Sequence, residues 1–214
     1  MQFKSILQYH QMTPNLLSNL ALANHKALLA YLHRFDESMG VLDYIPFLLS
    51  ETPSVEAHRK LALDGMDIIA QSLDQWADKH ATLSRPIEQF FRIEQDETKL
   101  TGQAISFREF WGSNRVEKKM MGPNSWSIPN VDGYKRAFFL PPYSLSGWED
   151  FDQLFEEINF LLFGIEPERW IIYQWSTNWS NYFEAGHEWW GAFYWTVYSP
   201  ETNFLTVIGA SATD

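Results

Sequence analysis

The chain has 214 residues, with 16 Lys+Arg against 27 Asp+Glu and a formal net charge of −11. At 45% hydrophobic and 20% charged it has the balance of a globular chain rather than a disordered one, and it is long enough for one large domain with a sizeable core. The lack of cysteine excludes a disulfide framework, a thiol nucleophile and a Cys-ligated zinc. The acidic balance argues against the basic footprint that broad nucleic-acid binding needs.

The charge is unevenly placed. Met1–Arg136 carries 16 acidic and 15 basic residues, whereas Ala137–Asp214 carries 11 acidic residues and a single basic one, Arg169. The second stretch also holds most of the ten tryptophans. Arg115, Lys118 and Lys119 form a small basic patch in the first stretch, read as solvated surface. The start, MQFKSILQYHQMTPN, lacks a long apolar core and a small-residue cleavage site, so no signal peptide is expected. No apolar run approaches the roughly 20 residues of a membrane span, and a cytoplasmic, membrane-free protein is expected.

Taken in chain order, the first hundred residues read mainly as helix. Thr13-Pro14 suits a helix start, followed by Leu16, Leu17, Leu20, Ala23, Ala27, Ala30 and Tyr31 at three- and four-residue steps, with Gly40 as the stop. Val41–Leu49, interrupted by Pro46, reads as a short helix or irregular segment. Thr52-Pro53 opens a helix whose stripe runs from Val55 through Leu63, Met66, Ile69, Leu73 and Ala77 to about Lys79. A short helical piece, Ile87–Phe91, follows Pro86. His10, His25, His33, His58 and His80 lack ligand spacing and read as surface or packing residues.

Past the polar connector Glu94–Leu100, Gln103–Trp111 alternates as a strand would, and Tyr134–Leu140 is a second strand candidate ended by Pro141-Pro142. Between them Gly112–Asn130 reads as a long loop, with a short helix over Val116–Met120. Ser146 and Glu149 match a capping box for a helix over Trp148–Phe163, with Phe151, Leu154, Phe155, Ile158, Leu161 and Leu162 as its buried stripe and Gly164 as its cap. Trp170–Trp175 reads as a central strand. Trp189–Tyr198 and Phe204–Ile208 form a hairpin around Ser199–Asn203. One face of the first hairpin strand carries Trp189, Gly191, Phe193, Trp195 and Val197; the other carries Trp190, Ala192, Tyr194, Thr196 and Tyr198. Both are apolar, so the strand is covered on both sides or offers one side for binding. The expected fold class is α+β in a single domain, with a helical portion over 1–93 packed with a mostly antiparallel sheet portion over 101–214.

The stretch Trp175–Trp190, WSTNWSNYFEAGHEWW, concentrates aromatics and polar groups at one end of the sheet. Three readings meet there. His187 could act as a general base oriented by Glu184 or Glu188, which would make the protein a small hydrolase, although no nucleophile elbow, zinc-protease helix, P-loop or dinucleotide fingerprint accompanies it. Tryptophan faces with Asn and Glu could bind a sugar or other small ligand. A protein-recognition surface uses both unusual features together, because Trp and Tyr serve as anchors while carboxylates steer a basic partner. The plain alternative is that the aromatics are core and the carboxylates solvated surface.

The segments GHEWWGAFYWTVY and VIGASATD, within Gly186–Asp214, resemble the ends of small bacterial proteins. The make-up of the chain is similar to that of immunity proteins of bacterial polymorphic toxin systems, contact-dependent or type VI delivered. Those are small, acidic, cysteine-poor and often α+β, and they bind a cognate toxin to block it. The resemblance implies a cytoplasmic binding protein without a cofactor or metal and brings no family site residues with it. On the protein-recognition reading, Glu166, Glu168, Glu184, Glu188 and Asp214 pair with Lys/Arg of a cognate toxin or other basic protein, and Trp179, Tyr182 and Trp190 fill its pockets beside His187.

Overall fold

In the computed structural model, residues 19–38, 40–82, 84–112, 133–142, 150–188 and 190–212 are described. The Thr13-Pro14 helix start, the Val116–Met120 helix, the Arg115/Lys118/Lys119 patch, the Ser146/Glu149 capping box, the Trp189 position and Asp214 lie outside them.

Five strands of the described residues form one antiparallel sheet: β1 (Leu42–Leu48), β2 (Gly102–Ile105), β3 (Ile171–Trp175), β4 (Ala192–Tyr198) and β5 (Phe204–Ser211), in the order β1-β5-β4-β3-β2. Among the described residues six α-helices accompany it: α1 (Asn19–Glu37), α2 (Val55–His80), α3 (Phe107–Trp111), α4 (Tyr134–Phe139), α5 (Phe151–Phe163) and α6 (Glu184–His187). The α+β class holds. The β4–β5 hairpin forms as read, pairing Tyr198 with Leu205, and β3 is an interior strand.

The sheet is covered on both faces, which explains why β4 is apolar on both sides. Phe193, Trp195 and Val197 join one core with Ile208 and Ala210 of β5, under α1, α3, α4 and α5. Tyr194 and Tyr198 join the other with Leu205 and Val207, under Ala62, Met66, Ile69 and Leu73 of α2. Trp190 departs from the strict alternation. It packs edge-on against Phe193, in the first core. The strand starts only at Ala192, and Gly191, at φ 133, breaks the two-residue period before it.

Three local expectations are overturned. Val41–Leu49 is β1 rather than a helix or irregular segment; Pro46 is tolerated because β1 is an edge strand with one hydrogen-bonding neighbour. The portion 1–93 therefore supplies an edge of the sheet. Gln103–Trp111 is a strand only to Ile105. Ser106 Oγ then accepts from Glu109 N, and Glu109 Oε2 accepts from Ser106 N–H at 2.8 Å, a capping box that starts α3. Tyr134–Leu140 is helix α4, not a strand: Tyr134, Ala137 and Phe138 are buried at helical spacing.

Two helices have starts and stops of simple origin. Ser54 caps α2 by accepting from Ala57 N at 3.2 Å. Asp150 caps α5 by accepting from Gln153 N at 3.0 Å, and Gly164 ends it at φ 72, a conformation that disfavours other residues. Among the described residues no helix is long and apolar enough to cross a membrane.

Candidate functional site

The segment between β3 and β4 is built into the fold by its own polar groups. Ser176 Oγ donates to Lys99 O at 2.9 Å and accepts from Thr101 N at 3.0 Å. The Asn181 side chain accepts from Glu94 N at 2.8 Å and donates to Arg92 O at 3.0 Å. Asp96 N donates to Trp179 O at 2.6 Å. These bonds satisfy five backbone groups of the 92–101 connector, which carries little regular structure of its own.

The aromatic anchors expected in this segment point inward. Trp179 is 1% exposed, against Phe183 and Tyr194 in the α2 core. Trp190 is 2% exposed; its indole N–H donates to Leu140 O at 2.5 Å, and its carbonyl accepts from Arg136 at 2.6 Å. Tyr182 is half-buried and donates its hydroxyl to Asp43 Oδ2 at 2.6 Å. Burial and the Asp43 charge push its phenol well above the usual tyrosine range. Trp179 and Trp190 therefore cannot serve as exposed anchors, because each ring is already packed on its neighbours. Nor do Trp175, Trp179 and Trp190 offer a stacking face to a sugar.

Glu184, His187 and Glu188 are exposed on and beside α6, and His187 Nε2 lies 2.8 Å from Thr177 Oγ1. Glu166 and Glu168 are exposed around the 3-10 turn Pro167–Arg169, where Glu166 pairs with Arg169. The expected carboxylates do not form one face. The turn precedes β3 and α6 follows it, so the two groups sit at opposite ends of a five-residue strand, about 16 Å of extended chain.

The end of the sheet that carries Glu166 and Glu168 has a feature that the sequence reading missed. An open cleft of about 550 Å³ lies between α5, α3 and the turn, walled by Phe107, Trp111, Phe155 and Trp170. Its aromatics hold one another. Phe107 meets Trp170 edge-on at 5.3 Å between centroids, Trp111 lies 5.1 Å from Phe155, and the Trp170 indole N–H donates to Phe163 O at 3.0 Å. Phe160, 54% exposed, and Ile165, 72% exposed, also line it. Glu156 is exposed and Glu157 half-exposed along the same cleft. The Glu201 carboxylate, from the β4–β5 hairpin, accepts from Ile165 N at 2.9 Å and fixes the turn beside it.

One signal could have found this place. In α5 the buried stripe is centred on Leu154, Phe155, Ile158 and Leu162, and at 3.6 residues per turn Phe160 falls on the opposite side. An aromatic off the stripe of a well-phased helix marks surface to be explained. Phe107 and Trp111 were hidden by the strand reading, since only the helix of α3 brings them together, 5.1 Å apart.

Among the described residues no three His, Asp or Glu side chains gather as metal ligands would. No family model, curated protein or solved structure matches the chain.

Proposed function

We propose that this protein is a cytoplasmic binding protein that neutralises a basic protein partner, a cognate bacterial toxin, by occluding its active or substrate-binding surface. The observation that carries the reading is the pair Phe160 and Ile165, both large, apolar and exposed, set among Glu156, Glu157, Glu166 and Glu168. An apolar centre ringed mainly by carboxylates, with Arg169 paired to Glu166 among them, suits a protein interface: the apolar residues supply affinity once desolvated, and the excess carboxylates speed encounter with a basic surface. The anchors are thus Phe160 and Ile165 at the α5–β3 junction, in place of Trp179 and Trp190. Glu184, His187 and Glu188, at the far end of β3, belong to a separate surface.

Co-expression with the product of the adjacent reading frame tests the proposal. Growth rescue, with a tight complex by calorimetry, is expected. Phe160→Ala and Ile165→Ala should each weaken the complex by about 2 kcal/mol, and Glu166→Lys/Glu168→Lys should mainly slow association and flatten its salt dependence. Absence of rescue, or a complex indifferent to all four changes, overturns it.

A further inference from the structure

We infer that the cleft between α5, α3 and the Pro167–Arg169 turn is a binding site for a small amphipathic cation, an aromatic body carrying a protonated amine. The cleft shares Phe160, Ile165, Glu156 and Glu157 with the proposed partner surface, but the inference concerns the isolated chain and a small molecule and is tested without the partner. Three observations lead to it.

The first is size and lining. At about 550 Å³ the cleft lies in the range of small-molecule sites, and Phe107, Trp111, Phe155 and Trp170 give it aromatic walls. Aromatic faces attract cations through the ring quadrupole. Trp111 already does so within the fold, with Lys135 Nζ 5.2 Å from its ring centroid.

The second is charge. The ionisable side chains that line the cleft are Glu156 and Glu157, and no Lys, Arg or His among the described residues joins them. Set against Lys135, which already lies on Trp111, the two carboxylates leave the cleft net negative and favour a cation over an anion.

The third is an unmet hydrogen bond. Asn159, on α5, lines the cleft and is only 6% exposed. Its amide nitrogen donates to Phe155 O at 2.6 Å, but its Oδ1 has no partner. A buried carbonyl oxygen left unpaired is costly, but the Asn159 side chain also meets the buried Tyr134 hydroxyl and its Oδ1 is closed to solvent, so a ligand N–H reaches it only where the cleft wall gives way. The combination asks for a flat apolar body, a positive charge and an N–H group.

Three indole probes that share one ring separate the contributions: tryptamine, a cation; tryptophol, neutral; and indole-3-acetate, an anion. Binding to the full chain is followed by calorimetry and by the indole N–H signals of Trp111 and Trp170 in NMR. Tryptamine is expected to bind at least about 10-fold more tightly than tryptophol and to weaken with salt, with indole-3-acetate weakest. Glu156→Gln/Glu157→Gln changes one exposed and one half-exposed position and should lower tryptamine affinity about 3- to 10-fold while leaving tryptophol unchanged. Asn159→Leu should weaken all three probes, which share the indole N–H. Tryptophol binding as tightly as tryptamine, or no saturation by tryptamine up to about 10 mM, overturns the proposal. Neither result bears on rescue by a protein partner, so the two readings fail separately.

Discussion

His58 Nδ1, on α2, lies 2.8 Å from Thr196 Oγ1, on β4, and the same hydroxyl oxygen accepts from Trp175 Nε1 at 3.0 Å. One threonine thus ties the long helix to two strands inside the core. The imidazole is fully buried, 4.7 Å from the Tyr173 ring, and its Nε2 has no partner.

Burial pushes the His58 pKa down to about 4. The unfolded chain then binds a proton near pH 6.5 that the folded chain refuses, so stability is full above 6.5 and falls as pH drops towards 4. The loss over that window is roughly 3 kcal/mol. His25 is lowered in the same direction, so the comparison must be with a variant. Urea denaturation of His58→Phe should show a much shallower decline between pH 6.5 and 4.5 than the parent. Equal slopes would mean that His58 takes up its proton alike in the folded and unfolded chain.

Gly65 faces β5 from the middle of α2. A Cβ there would stand 2.9 Å from both methyls of Val207. Glycine to alanine in a helix normally gains up to about 1 kcal/mol, whereas overpacking costs about 1–3 kcal/mol. Gly65→Ala is therefore expected to destabilise the protein by about 1 kcal/mol net. In a double-mutant cycle with Val207→Ala, the pair should cost about 1 kcal/mol less than the sum of the singles. A stabilised Gly65→Ala would show that the helix can shift away from the sheet.

Tyr182 joins the β3–β4 connection to β1 through Asp43. Removing the hydroxyl in Tyr182→Phe should cost about 1.5–3 kcal/mol, since the bond is charge-assisted and leaves a carboxylate short of one partner. Tyr134, Tyr182 and Tyr194 are all raised by burial. Their contribution is whole below pH 10 and is lost as pH rises towards the folded values. Spectrophotometric titration should find these three phenols silent until alkaline unfolding, and Tyr182→Phe should remove one from the late step.

The buried and the exposed aromatics should separate cleanly by stability. Trp179→Ala and Trp190→Ala are expected to cost about 3–5 kcal/mol each. Phe160→Ala and Ile165→Ala should stay within about 0.5 kcal/mol of the parent. Thermal melts of the four variants decide whether the aromatic-rich C-terminal stretch acts mainly as core. A stable Trp190→Ala would restore it as a surface candidate.

Much of the architecture was legible in the sequence because it is local. Ser199–Asn203 between two β-rich runs forms the hairpin, and the Leu154/Phe155/Ile158/Leu162 stripe with Gly164 forms and ends α5. The α3 misreading was also local. Ser106 and Glu109 carried the capping box in plain view, but the two-residue alternation from Ile105 to Trp111 masked it. The candidate site was legible only in part. Glu166 and Glu168 were placed at an exposed turn, whereas the cleft beside them depends on α3, α5 and Trp170 meeting from distant parts of the chain.

By itself the sequence determined the α+β class, the regional excess of negative charge and the double-sided apolar character of β4, since all three follow from composition and short-range periodicity. Only the tertiary structure decided the rest. Pairing with β5, more than 150 residues later, makes Leu42–Leu48 a strand in spite of Pro46. Burial decides between core and anchor for Trp179 and Trp190, because an indole satisfies the same sequence pattern either way and differs only in what packs against it. The strand between Glu166 and Glu184 decides that one run of carboxylates is two surfaces, because an extended segment carries charges apart that the sequence counts together.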